Sequence, residues 1–489
     1  MPTDPRDLRD DAPLLDGWLR FYEAGGHPFT VPGHKQQHDL VGDVVAGDAP
    51  MYGAVDTVGL AHGRLAEAER RAAALWGGDV AHLSTGGSTH GNQALALAVG
   101  RPGAKVVIGR TAHRSLHTGL VLAGMDPVWL PTHVDPATGM PQPTTPDDVR
   151  SALTEAPDAA AVFVTDPSYV GTYGDLGAIV AVVRELAPDC PVVVDAAWAA
   201  HFGFHPDLPP HALAQGADAL VTSAHKALPA WSQAAIVVAR TERISAERLE
   251  IGVHATLSTS PAGAILASAD AARALLERDG EELIGRTLAA VASARARLAE
   301  VDGLVVIGHD PTHPEVRGAL RRASKGVDPL KLTLVVAGTG ADGVAVERDL
   351  IDAGMPLEMA NRDTLVAMVT LADDAAAVDR LVDALVASIE RHRGEPRAVA
   401  GIAAYGVTPV MGMTPREAFF AKREAVALRS SIGRVGAELI APYPPGIPVI
   451  APCEVVTEQV VAALEQARAS GSRIAYAADP TGVTITVVA

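Results

Sequence analysis

Aromatic residues are scarce: seven Phe, seven Tyr and five Trp make up only 4% of 489 residues. With hydrophobic residues at 48%, the core must be packed mainly by Ala, Val and Leu, as in a soluble enzyme rather than a disordered chain. Cysteine is almost absent. Cys190 and Cys453 cannot supply a disulfide framework, which excludes the stapled secreted folds and fits a reducing cytoplasm. Basic residues are outnumbered, 40 Lys and Arg against 58 Asp and Glu, for a formal net charge of −18. That balance argues against nucleic acid or an anionic membrane as partner and is compatible with a small cationic substrate. No uncharged apolar run is long enough to span a bilayer, and the acidic stretch 1–16 lacks the apolar core of a signal peptide. A Gly-x-Ser-x-Gly nucleophile elbow is also missing, which counts against a hydrolase.

What is present centres on Thr222-Ser223-Ala224-His225-Lys226-Ala227-Leu228, which follows the apolar run Ala219-Leu220-Val221. The run reads as a buried strand, and a lysine just past it sits at the carboxyl edge of a sheet, where open α/β folds bind ligands. Pro191-Val192-Val193-Val194-Asp195 is a second such pattern, ending in a carboxylate. In one parallel sheet Asp195 and Lys226 emerge at the same edge. Pyridoxal phosphate (PLP) needs both: an amine for its aldehyde carbon and a carboxylate that keeps its pyridine nitrogen protonated. Taken singly, Lys226 is a solvated loop lysine and Asp195 a helix cap. The pairing favours the cofactor. Ser223 and His225 add groups able to hold a phosphate. Upstream, the Gly/Ser/Thr loop that contains Gly87, Ser88 and Thr89 runs into a helix predicted over 93–99. Such a loop offers backbone N–H groups and the positive end of a helix dipole to a phosphate.

Strand patterns at 105–108, 127–130, 161–165, 192–195, 219–222 and 235–238 alternate with helical ones, among them 116–123, 146–154 and 176–186. The rhythm predicts an α/β fold with a mostly parallel sheet covered on both faces. His113 follows the first of these strands and should reach the ligand edge too. Helices are also expected over 14–24, 65–76 and 261–301, the last leading to a small domain with strands at 331–336 and 364–370. The organisation expected is an N-terminal helix and arm (1–50), a large cofactor domain (51–300), a small α/β domain (301–400) and a C-terminal domain (401–489). Its Ala441-Pro442-Tyr443-Pro444-Pro445-Gly446-Ile447-Pro448 run is neither helix nor central strand.

A rival signal is Gly338-Thr339-Gly340-Ala341-Asp342-Gly343, which matches the dinucleotide fingerprint, with Glu358 near the place of a ribose-binding carboxylate. No run of strand–helix units follows to complete a Rossmann half, so a glycine turn explains the same residues. The pairs His113/His117 and His201/His205 have metal-ligand spacing, yet neither carries a zincin glutamate or an evident third ligand, and no metal is expected.

Several motifs in order resemble the Orn/Lys/Arg decarboxylase family, PLP enzymes of the aspartate aminotransferase-like fold, in its shorter bacterial form. They are Pro32-Gly33-His34-Lys35, Gly87-Ser88-Thr89, Arg110-Thr111-Ala112-His113-Arg114-Ser115, His201-Phe202-Gly203-Phe204-His205-Pro206, Ser223-Ala224-His225-Lys226, Thr256-Leu257-Ser258-Thr259-Ser260-Pro261, and a C-terminal stretch from Gly433-Arg434-Val435 to Glu454. The resemblance implies a seven-stranded large-domain sheet with smaller α+β domains behind it. It also implies Lys226 as the cofactor lysine, Asp195 as the pyridinium partner and His113 stacked on the ring. Gly87, Ser88, Thr89, Ser223 and His225 would hold the phosphate. Thr259 or Ser260 would reach the phosphate of a second subunit, since family sites form at a dimer interface. Glu454 would meet the substrate's distal cation, with Trp198 and His201 beside the substrate.

The chain departs from the family pattern in three places. Asp195-Ala196-Ala197-Trp198-Ala199-Ala200-His201 lacks a glutamate and a glycine, Asp48-Ala49-Pro50-Met51 lacks an acid, and Cys453 replaces the glycine before Glu454. The function expected is PLP-dependent decarboxylation of lysine, ornithine or arginine, with Lys226 or His225 returning a proton to Cα, in a cytoplasmic homodimer serving polyamine synthesis. An aminotransferase or oxidase on the same fold is the enzymatic alternative, and a PLP-binding regulator the non-enzymatic one.

Overall fold

The computed structural model describes all residues except 1–3, 26, 57–62, 136, 309–324, 400–405, 444–447 and 470–472. The Pro444-Pro445-Gly446-Ile447 part of the Pro-rich run thus lies outside the described residues. The chain divides into two compact units, one of residues 1–99 with 193–285 and one of 100–192 with 286–489.

Seven strands make the main sheet: β1 (Val80–Ser84), β2 (Lys105–Gly109), β3 (Asp126–Leu130), β4 (Val162–Thr165), β5 (Val192–Asp195), β6 (Ala219–Thr222) and β7 (Ala235–Ala239). Their order is β1-β7-β6-β5-β4-β2-β3. In the first unit β5 and β6 are parallel neighbours with Asp195 opposite Val221, while β7 runs antiparallel to β6 and β1. In the second, β2 is parallel to both β3 and β4. The largely parallel sheet expected from the sequence is therefore present, with an antiparallel pair closing one edge. Every residue of β5, β6 and β7 is buried, which is why these strands read as unbroken apolar runs. Strand β1 was not anticipated. Its His82 and Ser84 interrupt the apolar pattern, as an edge strand allows.

In the first unit the helix Pro13–Ala24 begins without a side-chain cap of its own. The Leu14 N–H instead donates to Asp270 Oδ2 at 2.9 Å, from the long helix Gly263–Leu298. Asp270 and Arg273 are fully buried and paired at 2.8 Å, so this cap is tied into the interior. The helix Gly87–Val99 starts at Gly87, not at the expected Gln93, and so takes Ser88 and Thr89 into its first turn. Packing overrides the poor helix propensity of the segment. A Cβ on Gly91 would stand 2.5 Å from Val221 and 2.7 Å from Val237, so this helix lies directly on β6 and β7.

In the second unit a four-stranded antiparallel sheet runs in the order Val305–Val306, Lys331–Val335, Thr364–Met368, Met359–Ala360. Leu332, Leu334 and Leu365 of that sheet share a core with Val346, Leu350, Val382, Leu385 and Ile389 of two helices, Gly343–Asp352 and Ala375–Arg391. The dinucleotide fingerprint falls here, and the antiparallel setting removes the parallel unit it requires. Its glycines serve close backbone contact: a Cβ on Gly338 would lie 2.4 Å from the Gly303 carbonyl, and one on Gly343 2.2 Å from that of Asn361. In the C-terminal region Arg423–Ala427 pairs with Thr484–Val488. Val449, Ile450, Val456, Leu464, Ile485 and Val487 form its core.

Candidate active site

Strands β5 and β6 end side by side in the first unit, which brings Asp195 and the Ser223–Lys226 turn to one sheet edge. Asp195 is buried, and its carboxylate is held on both oxygens. Asn92 Nδ2 donates to Oδ2 at 2.8 Å and the Ala197 N–H to Oδ1 at 3.2 Å. Thr222 Oγ1 donates to the Ala196 carbonyl at 2.9 Å, pinning the turn after β5 to the end of β6. Asn92 did not feature in the sequence reading. With the helix expected only from Gln93, Asn92 read as the end of the Gly/Ser/Thr loop; the start at Gly87 is what places it one helical turn after Ser88.

Beside this carboxylate, Ser88 Oγ and Ser223 Oγ lie 2.7 Å apart, both buried. Gly87, at φ +69°, donates its N–H to the Gln233 carbonyl at 2.8 Å, fastening the helix start to the loop after Lys226. Thr89 is exposed. The hydroxyls and the helix N-terminus gather donors suited to an anion. Ser84 Oγ and His90 Nδ1, 2.7 Å apart, brace the same turn, and burial lowers the pKa of His90.

Lys226 Nζ lies 3.6 Å from the centroid of the half-buried Trp198 ring. The indole face thereby fixes where the amine stands. His225 Nδ1 is 2.8 Å from the Ala234 carbonyl. A carbonyl only accepts, so Nδ1 carries the proton and Nε2 is the basic atom of the neutral ring. His201 is buried edge-on to Phe202, ring centroids 5.0 Å apart. Thr259 and Ser260 are exposed in the loop after the helix Ala246–Thr256.

In the second unit, exposed His113 caps the helix Arg114–Ala123, its Nδ1 accepting from the Ser115 N–H at 3.3 Å. Three residues earlier, Arg110 Nη2 meets Glu454 Oε2 at 2.8 Å, with both side chains buried. Glu454, expected opposite a substrate cation, thus has its charge matched by an arginine of its own chain. Burial raises the Glu454 pKa, and Arg110 opposes that shift. The Arg110 guanidinium lies 5.4 Å from the Trp129 ring centroid, and on Trp129 rests His117, whose pKa burial lowers to about 3.

A family model for the major domain of Orn/Lys/Arg decarboxylases matches residues 12–356, and one for their C-terminal domain matches 400–475. The chain belongs to the Orn/Lys/Arg decarboxylase family. It is 31% identical over 491 residues to arginine decarboxylase of Halalkalibacterium halodurans, with 98% of each chain covered. Against arginine decarboxylase of Bacillus subtilis the identity is 30% over 465 residues, with 92% of each covered. Lysine decarboxylase A from Pseudomonas aeruginosa shares the fold, with a TM-score of 0.81 at 20% identity over 98% of this chain and 80% of that one. A structure of SPT with PLP gives a TM-score of 0.52 at 16% identity, over 66% of this chain and 76% of that one. The expected aspartate aminotransferase-like α/β class thus stands.

Proposed function

We propose that this family member decarboxylates arginine with pyridoxal phosphate held in the first unit. The observation that carries the reading is that a buried Asp195 ends β5 while the Ser223–Lys226 turn follows β6, its parallel neighbour. The donor set fits the cofactor: an amine, a buried acceptor, two hydroxyls and a helix N-terminus. When bound, the cofactor supplies an electron sink for the charge left at Cα as CO₂ departs.

Lys226 would hold the cofactor's aldehyde carbon through its amine. Asp195 would keep the ring nitrogen protonated, its carboxylate held in place by Asn92. Ser88, Thr89, Ser223 and the first N–H groups of the Gly87–Val99 helix take the phosphate. His225, oriented by Ala234, or Lys226 returns the proton to Cα. Arginine is favoured over lysine because the relatives at 31% and 30% identity are arginine decarboxylases.

The functional form proposed is a homodimer. Phe29, Leu40 and Val44 of the N-terminal arm and Tyr52 just after it are 94%, 74%, 81% and 69% exposed, an apolar surface that a second copy would cover. Thr259 and Ser260 are then free to reach the partner's phosphate. No helix among the described residues is long and apolar enough to cross a membrane, and a cytoplasmic setting is proposed from the scarcity of cysteine.

The test is to incubate the purified protein with arginine, lysine and ornithine and to identify products by mass spectrometry. Borohydride reduction followed by peptide mapping should place the cofactor on Lys226. Arginine left unconverted while lysine loses CO₂ would overturn the substrate, and a label on another lysine would overturn the site.

A further inference from the structure

His90 is 4% exposed and Ser84 1%, and both ring nitrogens and the hydroxyl are bonded inside the first unit. His90 Nε2 lies 3.0 Å from the Val253 carbonyl. A carbonyl only accepts, so Nε2 carries a proton, and burial lowers the His90 pKa, which keeps the ring neutral. Nδ1 is then an acceptor and takes the Ser84 hydroxyl proton across 2.7 Å. The Gly87 carbonyl, at 3.3 Å, is the weaker of the two acceptors open to that hydroxyl. With its one proton committed, Ser84 Oγ accepts from the Gly86 N–H at 3.1 Å. Every proton in the chain from the Gly86 N–H through Ser84 and His90 to the Val253 carbonyl points one way.

The two ends of this chain differ in kind. Val253 belongs to the helix Ala246–Thr256, which lies directly on the helix Gly87–Val99: a Cβ on Gly252 would stand 2.5 Å from the Ala94 carbonyl. That end is a fixed anchor. Gly86 belongs to the turn from which the helix Gly87–Val99 starts. The His90 N–H also returns to the Gly86 carbonyl, at 3.3 Å, so one histidine holds this peptide from both sides. Gly87 is fastened next, its N–H donating to the Gln233 carbonyl at 2.8 Å. The N–H groups of Ser88 and Thr89 follow in the first turn and take their direction from these bonds. A leucine at 90 would fill the same space, so packing alone does not account for a ring bonded at both nitrogens.

We infer that His90, acting through Ser84, is a positioning residue for the phosphate turn and sets the backbone from Gly86 to Thr89 for a phosphate monoester. The hydrogen bonds are directional and hold the turn in one orientation, which an apolar contact would leave free to slide. This rests on the phosphate placement proposed above, at the start of the Gly87–Val99 helix. The role of both side chains is to support backbone, not to touch the reacting atoms.

The test compares PLP with pyridoxal, which lacks the phosphate, by absorbance titration of the full chain freed of cofactor. The wild type should bind PLP the more tightly of the two, and pyridoxal affinity also serves as the control for folding. His90→Leu should weaken PLP about 10- to 100-fold, the scale of hydrogen bonds to a charged group, and pyridoxal by less than about twofold. Ser84→Ala should do the same, and on the His90→Leu background it should add less than about twofold, because both act on one chain. His90→Gln should bring PLP back to within about threefold of the wild type, since its amide again offers one acceptor and one donor. Equal losses for PLP and pyridoxal, unchanged PLP affinity in Ser84→Ala, or a His90→Gln variant no better than His90→Leu would overturn the inference. A wild type that binds the two compounds equally would instead overturn the placement of the phosphate on which it depends.

Discussion

Asn92 Nδ2 donates to Asp195 Oδ2 across 2.8 Å, joining a helix and a strand end that are 103 residues apart in sequence. The amide is neutral, so it fixes the carboxylate without cancelling the charge that a bound pyridinium would need. Asn92 is wholly buried, and a substitution there acts on Asp195 with no change at the surface. Asn92→Ala should lower kcat by about 10- to 100-fold, the loss of one hydrogen bond to a charged group. Asp195→Asn should be slower still while retaining cofactor. Steady-state kinetics beside an absorbance titration of bound PLP would check both. An Asn92→Ala enzyme with wild-type kcat would show that Asp195 needs no such partner.

Asp166 follows β4, and its Oδ1 accepts from the Gly174 N–H at 2.8 Å. Burial pushes its carboxyl up from 3.8 to about 7, and the Gly174 bond offsets only part of this. The folded-state pKa lies above the unfolded one, so the stabilising contribution is whole below about pH 4 and is lost as pH rises through 7. Each pH unit in that window removes about 1.4 kcal/mol at most. Asp166→Asn should abolish the slope. In urea denaturation from pH 5 to 8, the variant should gain on the wild type as pH rises and level off above 7. A constant gap would mean that Asp166 ionises in its ordinary range.

The six strands expected from apolar runs are β2 to β7, each within one residue at either end, because a sheet covered on both faces leaves a continuous local signal. The sheet edge was legible for the same reason: Asp195 closes one such run, and the Ser223–Lys226 turn follows another. What escaped depends on long-range neighbours. Arg110 and Glu454 are separated by 344 residues, and nothing local to either marks them as a pair. The early helix start at Gly87 was hidden by glycine and serine, which disfavour a helix alone and suit one lying close on β6 and β7.

The dinucleotide-like glycines give a sharp test of context against motif. Gly343→Ala places a Cβ 2.2 Å from the Asn361 carbonyl, and the obstacle is backbone that cannot swing away. The variant should lose about 1–3 kcal/mol of stability from overpacking. Neither it nor the wild type should retain NAD(H) in equilibrium dialysis. Nicotinamide binding abolished by Gly343→Ala would restore the reading set aside here.

Cys453 adopts φ +92°, in the left-handed region that favours glycine, and it is 1% exposed. The resemblance led us to expect glycine here, and the backbone angle is one that glycine adopts without strain. The thiol is nevertheless packed, with Sγ 3.9 Å from Met411 Sδ, and burial raises its pKa. It is therefore a filler and not a nucleophile. Two terms then oppose each other on substitution. Cys453→Gly relieves strain of roughly 1–3 kcal/mol but empties the space of the sulfur. Cys453→Ala empties nearly the same space and keeps the strain. The expected order of stability is therefore Gly above Ala by about 1 kcal/mol, the reverse of the usual preference at positions with ordinary φ. Chemical denaturation of the two variants under identical conditions decides it. Should Cys453→Ala be the more stable of the two, the left-handed conformation at residue 453 is not what the solution structure adopts.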